Sequence, residues 1–235
     1  LDHDHYGARW ARSLVARGIP VHVHVRHRRE ALERGVPAAC LAAFEDRFTL
    51  GGTFEVEAIL ADHDDVGSTA LRLDGLGRRI GLATDLGRVP DRLLERFVGL
   101  DLLGLESNYC PRLQASSDRP EFLKRRITGG AGHLSNDEAL DAALQIAARS
   151  DLQHLVLLHL SRQCNRPDLV RTIFERGLPE LADRIAIADP REIVGPLDID
   201  RGQARVSTGA SRSGSEAGSR PASAASCIER QRSLW

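Results

Sequence analysis

Short apolar runs, separated by glycine, proline and polar residues, recur through most of the chain and predict both strands and helices. The predicted strands cover residues 21–25, 48–50, 54–60, 69–73, 79–83, 102–106, 151–159 and 185–188. The predicted helices cover residues 7–17, 28–34, 91–97, 119–126, 138–148 and 167–175. Glycine-containing pairs mark two turns, so we predict one at Gly51-Gly52 and a hairpin around Asp74-Gly75.

The pattern ends near Gly202. Beyond this point serine, glycine, arginine and alanine dominate, and neither a helical nor a strand period remains. Such a composition buries too little apolar surface to form a core. We therefore predict one globular domain over residues 1–196 and a disordered tail over residues 202–235.

Polar side chains that bind metals follow several of the predicted strands. Asp85 follows the run 79–83, His63 follows the run 54–60, and His159 ends the run 151–159. A side chain at the exit of a buried strand is held rigidly and still faces solvent, as a metal ligand or general base must. A single aspartate in this position more often caps a loop, so the prediction of a metal site depends on the three side chains occurring together.

Two further histidine clusters lie near the beginning of the chain. His3, Asp4 and His5 precede a predicted helix and form half of a metal site, although a solvated cluster explains them equally well. The second cluster, His22-x-His24-x-x-His27, lies on and just after an alternating strand. We do not expect it to bind a metal, because the arginines beside it repel a cation.

A glycine-rich loop at residues 129–132 leads to His133 and to a helix cap at Ser135 or Asn136. Glycines let the backbone approach a ligand, but an ordinary loop with a helix cap has the same pattern. A basic run, Lys124-Arg125-Arg126, precedes this loop. The run is either an edge that binds phosphate or, by default, a solvated helix face.

Composition narrows the setting in which such a site would act. The net charge of −1 gives no overall basic field, so contact with nucleic acid must come from a local patch. The four cysteines form no Cys-x-x-Cys pair, and we interpret them as reduced thiols of a cytoplasmic protein. No apolar run reaches membrane-spanning length. Because methionine is absent, we expect the chain to lack its true N-terminus.

Taken in order, these motifs resemble those of the metallo-β-lactamase superfamily. Asp4-His5 resembles the end of its His-x-His-x-Asp-His motif, and residues 63–68 resemble its next histidine motif. Residues 84–87 resemble the bridging-aspartate motif, and His159-Leu160-Ser161 resembles the final histidine motif. Within the superfamily, residues 106–109, 123–127 and 132–136 look like the branch of bacterial DNA exonucleases often called YycJ or WalJ. The resemblance covers residues 1–195.

The resemblance implies an α/β fold, the αββα sandwich of this superfamily, with metals held at one edge by loops that leave the strands. It implies two divalent metal ions, zinc or manganese, that share a bridging hydroxide and cleave a DNA phosphodiester. The implied metal ligands are His3, Asp4, His5, His63, Asp85 and His159. The implied catalytic residues are Asp85, Asn108 and His133, the last as a hydrogen-bond donor to a developing oxyanion. The implied substrate contacts are Ser107, Asn108, Lys124, Arg125, His133 and Ser161.

Several positions depart from the family pattern. In one alignment, Asp4-His5 is the Asp-His pair of the motif, and the two histidines expected before it are replaced or absent. In the other, His3-x-His5 is the opening His-x-His of the motif, and the Asp-His pair is deleted. We prefer the first alignment, which leaves His3 as a substitute ligand. Tyr109 and Cys110 replace a histidine and an aspartate of the family. The family's first strands are also missing, so we expect an incomplete sandwich that binds two metals or only one.

Three functions therefore stay open from the sequence. The first is a metal-dependent DNA exonuclease, which the basic run favours. The second is a hydrolase of the same fold that acts on a small ester or thioester. The third is a catalytically impaired remnant that binds one metal or none, which the incomplete first motif favours.

Overall fold

The computed structural model describes residues 6–200. The predicted ligands His3, Asp4 and His5 and the predicted tail at 202–235 lie outside the described residues. The strands are β1 (Val21–His24), β2 (Leu41–Phe44), β3 (Arg47–Leu50), β4 (Phe54–Ala61), β5 (Ser68–Gly75), β6 (Arg78–Ala83), β7 (Leu102–Glu106), β8 (His154–Leu158) and β9 (Ile185–Ile187). The α-helices are α1 (Ala11–Arg17), α2 (Arg28–Glu33), α3 (Asp91–Arg96), α4 (Pro111–Ser116), α5 (Glu121–Thr128), α6 (Asn136–Ala147) and α7 (Pro167–Gly177).

Within residues 6–200 the strands form a seven-stranded sheet, in the order β3-β4-β5-β6-β7-β8-β9, and a two-stranded sheet of β1 and β2. Pairing is antiparallel from β3 to β6 and parallel from β6 to β9. Two antiparallel steps separate β4 from β6, so these two strands run in the same direction. The carboxyl ends of β4, β6, β7, β8 and β9 therefore lie along one edge of the sheet, here called the carboxyl edge.

The main core lies between the large sheet and helices α3, α6 and α7. Phe97 after α3, Ile146 of α6 and Phe174 of α7 are fully buried there against strand residues such as Leu105 and Leu157. This packing follows from sequence, because β7 and β8 are short continuous apolar runs typical of strands covered by helices. The predicted α/β class is confirmed.

The small sheet has a core of its own. Val23 of β1 packs with Ala31 of α2 and Val36, all buried. His22 of β1 stacks on Phe48 of β3, with ring centroids 4.1 Å apart, so the small sheet contacts the edge strand of the large one. Among the described residues, no helix has the length and apolar character needed to cross a membrane.

Most predicted elements occur within a few residues of their predicted bounds, but the predicted hairpin turn is misplaced. Asp74 and Gly75 pair with Arg79 and Arg78 inside the β5–β6 ladder. The turn consists of Leu76 and Gly77, both with positive φ. A Cβ at Gly75 would lie 2.4 Å from Cδ1 of Phe54, so this glycine serves close packing within the strand. Strand β2 and helix α4, which are only 4 and 6 residues long, were not predicted.

Replacement of Phe97 by alanine should lower the free energy of unfolding by about 3–5 kcal/mol, because it leaves a cavity between α3 and the large sheet. Phe122 provides the matched control, since its side chain is 67% exposed. The Phe122→Ala variant should remain within about 0.5 kcal/mol of the unmodified chain. Urea denaturation followed by circular dichroism measures both values. Equal unfolding midpoints for the two variants would contradict this account of the core.

Candidate metal centre

Strand order and register bring the predicted strand-end residues together at the carboxyl edge. Ala83 of β6 pairs with Leu105 of β7, and Glu106 of β7 pairs with Leu158 of β8, so these three strands end at the same level. Asp85, Glu106 and His159 lie at or just beyond these ends. His63 follows β4 at the same edge, and His133 enters from the loop between α5 and α6.

Asp85 lies at the centre of these side chains. Its Oδ1 is 3.7 Å from Nε2 of His63, 3.7 Å from Nδ1 of His159 and 4.0 Å from Nδ1 of His133. Oε1 of Glu106 is 2.8 Å from Nδ1 of His133 and 3.7 Å from Nδ1 of His159. We refer to these five residues as the carboxylate–histidine cluster.

The spacing within the cluster separates two kinds of contact. Zinc bonds to nitrogen and oxygen are about 2.0–2.2 Å long, so two ligand atoms on a tetrahedral ion lie roughly 3.4 Å apart. The 3.7 Å separations of Asp85 from His63 and His159 are close to that value and too long for direct hydrogen bonds. The 2.8 Å contact of His133 with Glu106 is instead a direct one, although its alignment is imperfect. The ligand atoms of His63, Asp85 and His133 lie within 4.8 Å of one another, as do those of Glu106, His133 and His159, so each group could hold a divalent metal.

The ring of His63 is oriented by a backbone contact. Its Nδ1 is 2.8 Å from the carbonyl oxygen of Gly132, so Nδ1–H donates and the lone pair of Nε2 faces Asp85. A second hydrogen bond of this kind is how metal-binding histidines are usually fixed. A Cβ at Gly132 would lie 2.3 Å from the carbonyl oxygen of Ile127, so the loop requires glycine there.

The backbone is strained where the two strand-end ligands leave the sheet. Asp85 and His159 have φ values of 56° and 57°, in the left-handed region that residues other than glycine seldom adopt. Hydrogen bonds hold both turns. Leu86 N donates to Oε2 of Glu106 at 2.8 Å, and Nδ2 of Asn108 donates to the carbonyl oxygen of His159 at 2.7 Å.

A buried amide network fixes the segment that follows β7. Nδ2 of Asn165 donates to the carbonyl oxygens of Ser107 and Asn108, at 2.9 and 3.0 Å. The hydroxyl of Ser107 donates to Oδ1 of Asn136, at 2.8 Å. Asn136 is the first residue of α6, which Ser135 and Glu138 cap reciprocally. The network therefore ties the strand ends to the helix that follows His133.

Glu106 is a fully buried carboxyl group with a lowered pKa. Burial raises the pKa of a carboxyl group, but contacts with His133 and His159 outweigh this effect and lower the pKa of Glu106 below its ordinary value. Asp64, beside His63, also has a lowered pKa, because Arg126 donates hydrogen bonds to its carboxylate.

A family model described as a beta-lactamase superfamily domain matches residues 2–160. The chain belongs to the metallo-β-lactamase superfamily. Its curated relatives include exodeoxyribonuclease YycJ of Bacillus anthracis, 30% identical over 129 residues that are 55% of this chain and 48% of that protein. Exodeoxyribonuclease WalJ of Streptococcus pneumoniae is 28% identical over 118 residues, 50% of this chain and 44% of that protein. The chain thus spans about half the length of the curated relatives it matches.

Solved structures share the metallo-β-lactamase fold. YhfI of Bacillus subtilis superposes with a TM-score of 0.56 at 18% identity and covers 80% of this chain and 71% of its own. Igni18, a metallo hydrolase of Ignicoccus hospitalis, superposes with a TM-score of 0.54 at 13% identity, over 80% of this chain and 73% of Igni18. The short form of human tRNase Z superposes with a TM-score of 0.50 at 14% identity, over 80% of this chain and 73% of tRNase Z. The predicted superfamily and fold, and the resemblance to YycJ and WalJ, are confirmed.

The predicted ligands of this superfamily fall into two groups. His63 and His159 each place a ring nitrogen 3.7 Å from Oδ1 of Asp85 at the carboxyl edge, whereas His3, Asp4 and His5 lie outside the described residues. His133, predicted to contact substrate, lies within the same cluster. Glu106 received no role from the sequence, although it ends a buried strand, β7, and Asp85 follows another, β6. The criterion applied to Asp85, a carboxylate at the exit of a predicted buried strand, would also have selected Glu106.

The predicted substrate-binding residues are placed very differently from one another. Ser107 is fully buried and Asn108 is buried, so both hold the site together in this geometry, and their contact with substrate stays a prediction. The ammonium of Lys124 donates to the carbonyl oxygen of Ala115 and pairs with Glu121. Arg125 is exposed. The hydroxyl of Ser161 accepts a hydrogen bond from Arg119.

The second histidine motif, on β1, has structural partners. His22 stacks on Phe48, and Nδ1 of His24 accepts a hydrogen bond from the backbone N–H of Arg26. Within residues 6–200, these histidines do not assemble into a group of three ligand atoms.

Removal of the His63 imidazole should lower the metal content of the purified chain, since it deletes a ligand atom directed at Asp85. The matched control is His24→Ala, which removes a histidine from β1 and should leave metal content unchanged. Elemental analysis, with circular dichroism to verify folding, gives the number of zinc or manganese ions per chain. Equal losses in both variants, or no loss in His63→Ala, would exclude His63 as a ligand.

Proposed function

We propose that this chain is a metal-dependent phosphodiesterase that hydrolyses the backbone of nucleic acid, and specifically a DNA exonuclease. The observation that carries the proposal is the spacing of imidazole and carboxylate atoms around Asp85, in a chain of the metallo-β-lactamase superfamily. The names of its relatives YycJ and WalJ, both exodeoxyribonucleases, support DNA as the substrate.

In this proposal His63, Asp85 and His159 hold one or two divalent ions, zinc or manganese, together with His3, Asp4 and His5. A mixed set of imidazole and carboxylate ligands suits these metals. When bound, the metal supplies Lewis acidity toward the phosphate oxygens and lowers the pKa of a bound water to about 7. Asp85, whose Oδ1 lies within 4.0 Å of ring nitrogens of three histidines, is the central residue that would hold the metal.

Glu106 and His133 act as a pair beside the metal ligands. The carboxylate of Glu106 has no exposed surface and faces Nδ1 of His133, whose side chain is 22% exposed. The carboxylate thus fixes the ring, while the exposed part of the ring remains available to substrate. With both ring nitrogens protonated, His133 would direct Nδ1–H at Glu106 and donate its other N–H to an oxygen that gains charge as the phosphodiester breaks. Glu106 is a positioning residue, and His133 is the residue that contacts substrate.

The decisive test compares three substrates on one preparation. The chain is treated with a chelator and then reconstituted with zinc or manganese. It is assayed with end-labelled linear DNA, circular single-stranded DNA and a chromogenic thioester. The proposal expects metal-dependent shortening of linear DNA and no cleavage of circular DNA. Hydrolysis of the thioester alone would indicate the small-substrate alternative. A folded, metal-loaded chain without any activity would indicate the remnant.

Glu106→Gln should lower kcat by about 10- to 100-fold, while metal content stays the same. The amide keeps the shape and still accepts the Leu86 hydrogen bond, but it removes the negative charge that faces His133. Glu95→Gln, on the exposed surface of α3, is the control and should leave kcat unchanged. If Glu106→Gln instead loses metal and activity together, Glu106 is a metal ligand and the pairing with His133 is wrong.

A further inference from the structure

Arg119, which joins α4 to α5, is held by neutral partners beside the metal centre. Its Nη1 donates to Oε1 of Gln114 at 3.1 Å, its Nε donates to Oε1 of Gln163 at 3.0 Å, and its Nη2 donates to the hydroxyl of Ser161 at 3.2 Å. The side chain is half-buried. Ser161 lies two residues after His159, so these contacts place the guanidinium close to the carboxyl edge.

The positive charge of Arg119 is not neutralised by any carboxylate that the described residues place within 4 Å of it. Two cations of α5 differ in this respect, whereas Arg125 is exposed. Lys124 pairs with Glu121, and Arg126 pairs with Asp64. A half-buried cation held only by neutral groups is costly unless an anion also binds there. Three of the five N–H groups of Arg119 donate the hydrogen bonds described above, which leaves one N–H group on Nη1 and one on Nη2 to bind an anion.

Gln114 provides a second, independent sign of a missing acceptor. The residue is 2% exposed, and its Oε1 must face the guanidinium, because the opposite amide orientation would set two donors against each other. This orientation leaves Nε2 buried and, among residues 6–200, without a hydrogen-bond partner. Such an orphaned donor is unfavourable, so an acceptor is expected at this position.

We propose that Arg119, positioned by Gln114, Gln163 and Ser161, forms an anion subsite for a backbone phosphate next to the one being cleaved. The proposal rests on the function proposed above and adds a substrate contact to it. A guanidinium fork matches two phosphate oxygens, and its contact with Ser161, two residues after His159, suits a phosphate neighbouring the metal centre. The subsite would therefore recognise a polynucleotide and ignore a small phosphodiester that has no second phosphate.

The test uses Arg119→Gln and Arg119→Lys in the full chain, with two readouts. The first is the affinity for a labelled single-stranded DNA oligonucleotide, measured by fluorescence anisotropy in chelator over a salt series. The second is hydrolysis, with metal restored, of DNA and of bis(4-nitrophenyl) phosphate. Arg176→Gln is the control, because Arg176 is exposed in the last turn of α7. Helix α7 leads from β8 to the parallel strand β9, so its last turn points away from the carboxyl edge.

Arg119→Gln should weaken DNA affinity about tenfold, and the slope of log K against log salt should become shallower by about 0.7. The KM for DNA should rise, while hydrolysis of the small diester should stay within about twofold. Arg119→Lys keeps the positive charge but loses the two-pronged guanidinium group. It should therefore retain the salt slope of the unmodified chain and only part of its affinity for DNA. Arg176→Gln should match the unmodified chain in both readouts.

Three results would overturn the proposal, and they are distinguishable. If both substrates lose activity equally, Arg119 supports the metal centre or the fold and not a neighbouring phosphate. If the unmodified chain cleaves DNA but Arg119→Gln matches it in affinity and slope, the subsite is wrong and the proposed function stands. If the unmodified chain cleaves neither substrate, the proposed function fails and the subsite fails with it.

Discussion

The candidate site depends on one buried carboxylate, that of Glu106. Its two oxygens have separate tasks. Oε2 accepts the backbone N–H of Leu86 and so holds the turn that carries Asp85, while Oε1 faces His133 and His159. Burial of an ionised carboxylate is costly unless its oxygens are satisfied, and a strand end is one of the few places where backbone and side-chain donors converge. The end of β7 thus organises loops from three other parts of the chain.

Rigidity around this carboxylate explains how two strained residues persist. Asp85 and His159 each hold a left-handed conformation that costs of the order of 1–3 kcal/mol. The hydrogen bonds from Leu86 and Asn108 fix these turns, and Asn108 is itself held by Asn165. The buried amides near Ser107 therefore support the site by holding these turns. In this arrangement the scaffold holds the ligand atoms in advance, which reduces the reorganisation needed when a metal binds.

The sequence predicted those features that depend on local pattern. Strand ends could be recognised from apolar runs, so His63, Asp85 and His159 were found before their proximity was known. Features that depend on tertiary contact were not found. Gly75 looked like a turn residue, but packing against Phe54 keeps it in the strand. The basic run was predicted as a solvated helix face by default, with a phosphate-binding edge as the alternative, but the sequence does not show which of its charges are paired. Arg126 pairs with Asp64, 62 residues away, and only the fold shows this.

This redistribution of charge bears on how the protein would recognise nucleic acid. A chain with a net charge of −1 cannot attract a polyanion through its overall field. Attraction must come from cations that the fold leaves uncompensated, such as the guanidinium of Arg119, and from any metal at the carboxyl edge. Each such contact releases about one counterion, so a site built from few of them depends only weakly on salt. Binding of this kind selects for the position of phosphates relative to the metal, and not for a long stretch of duplex. Under the proposed function, a short segment of strand, engaged at the cleaved phosphate and its neighbour, is the form of DNA that such a site would bind.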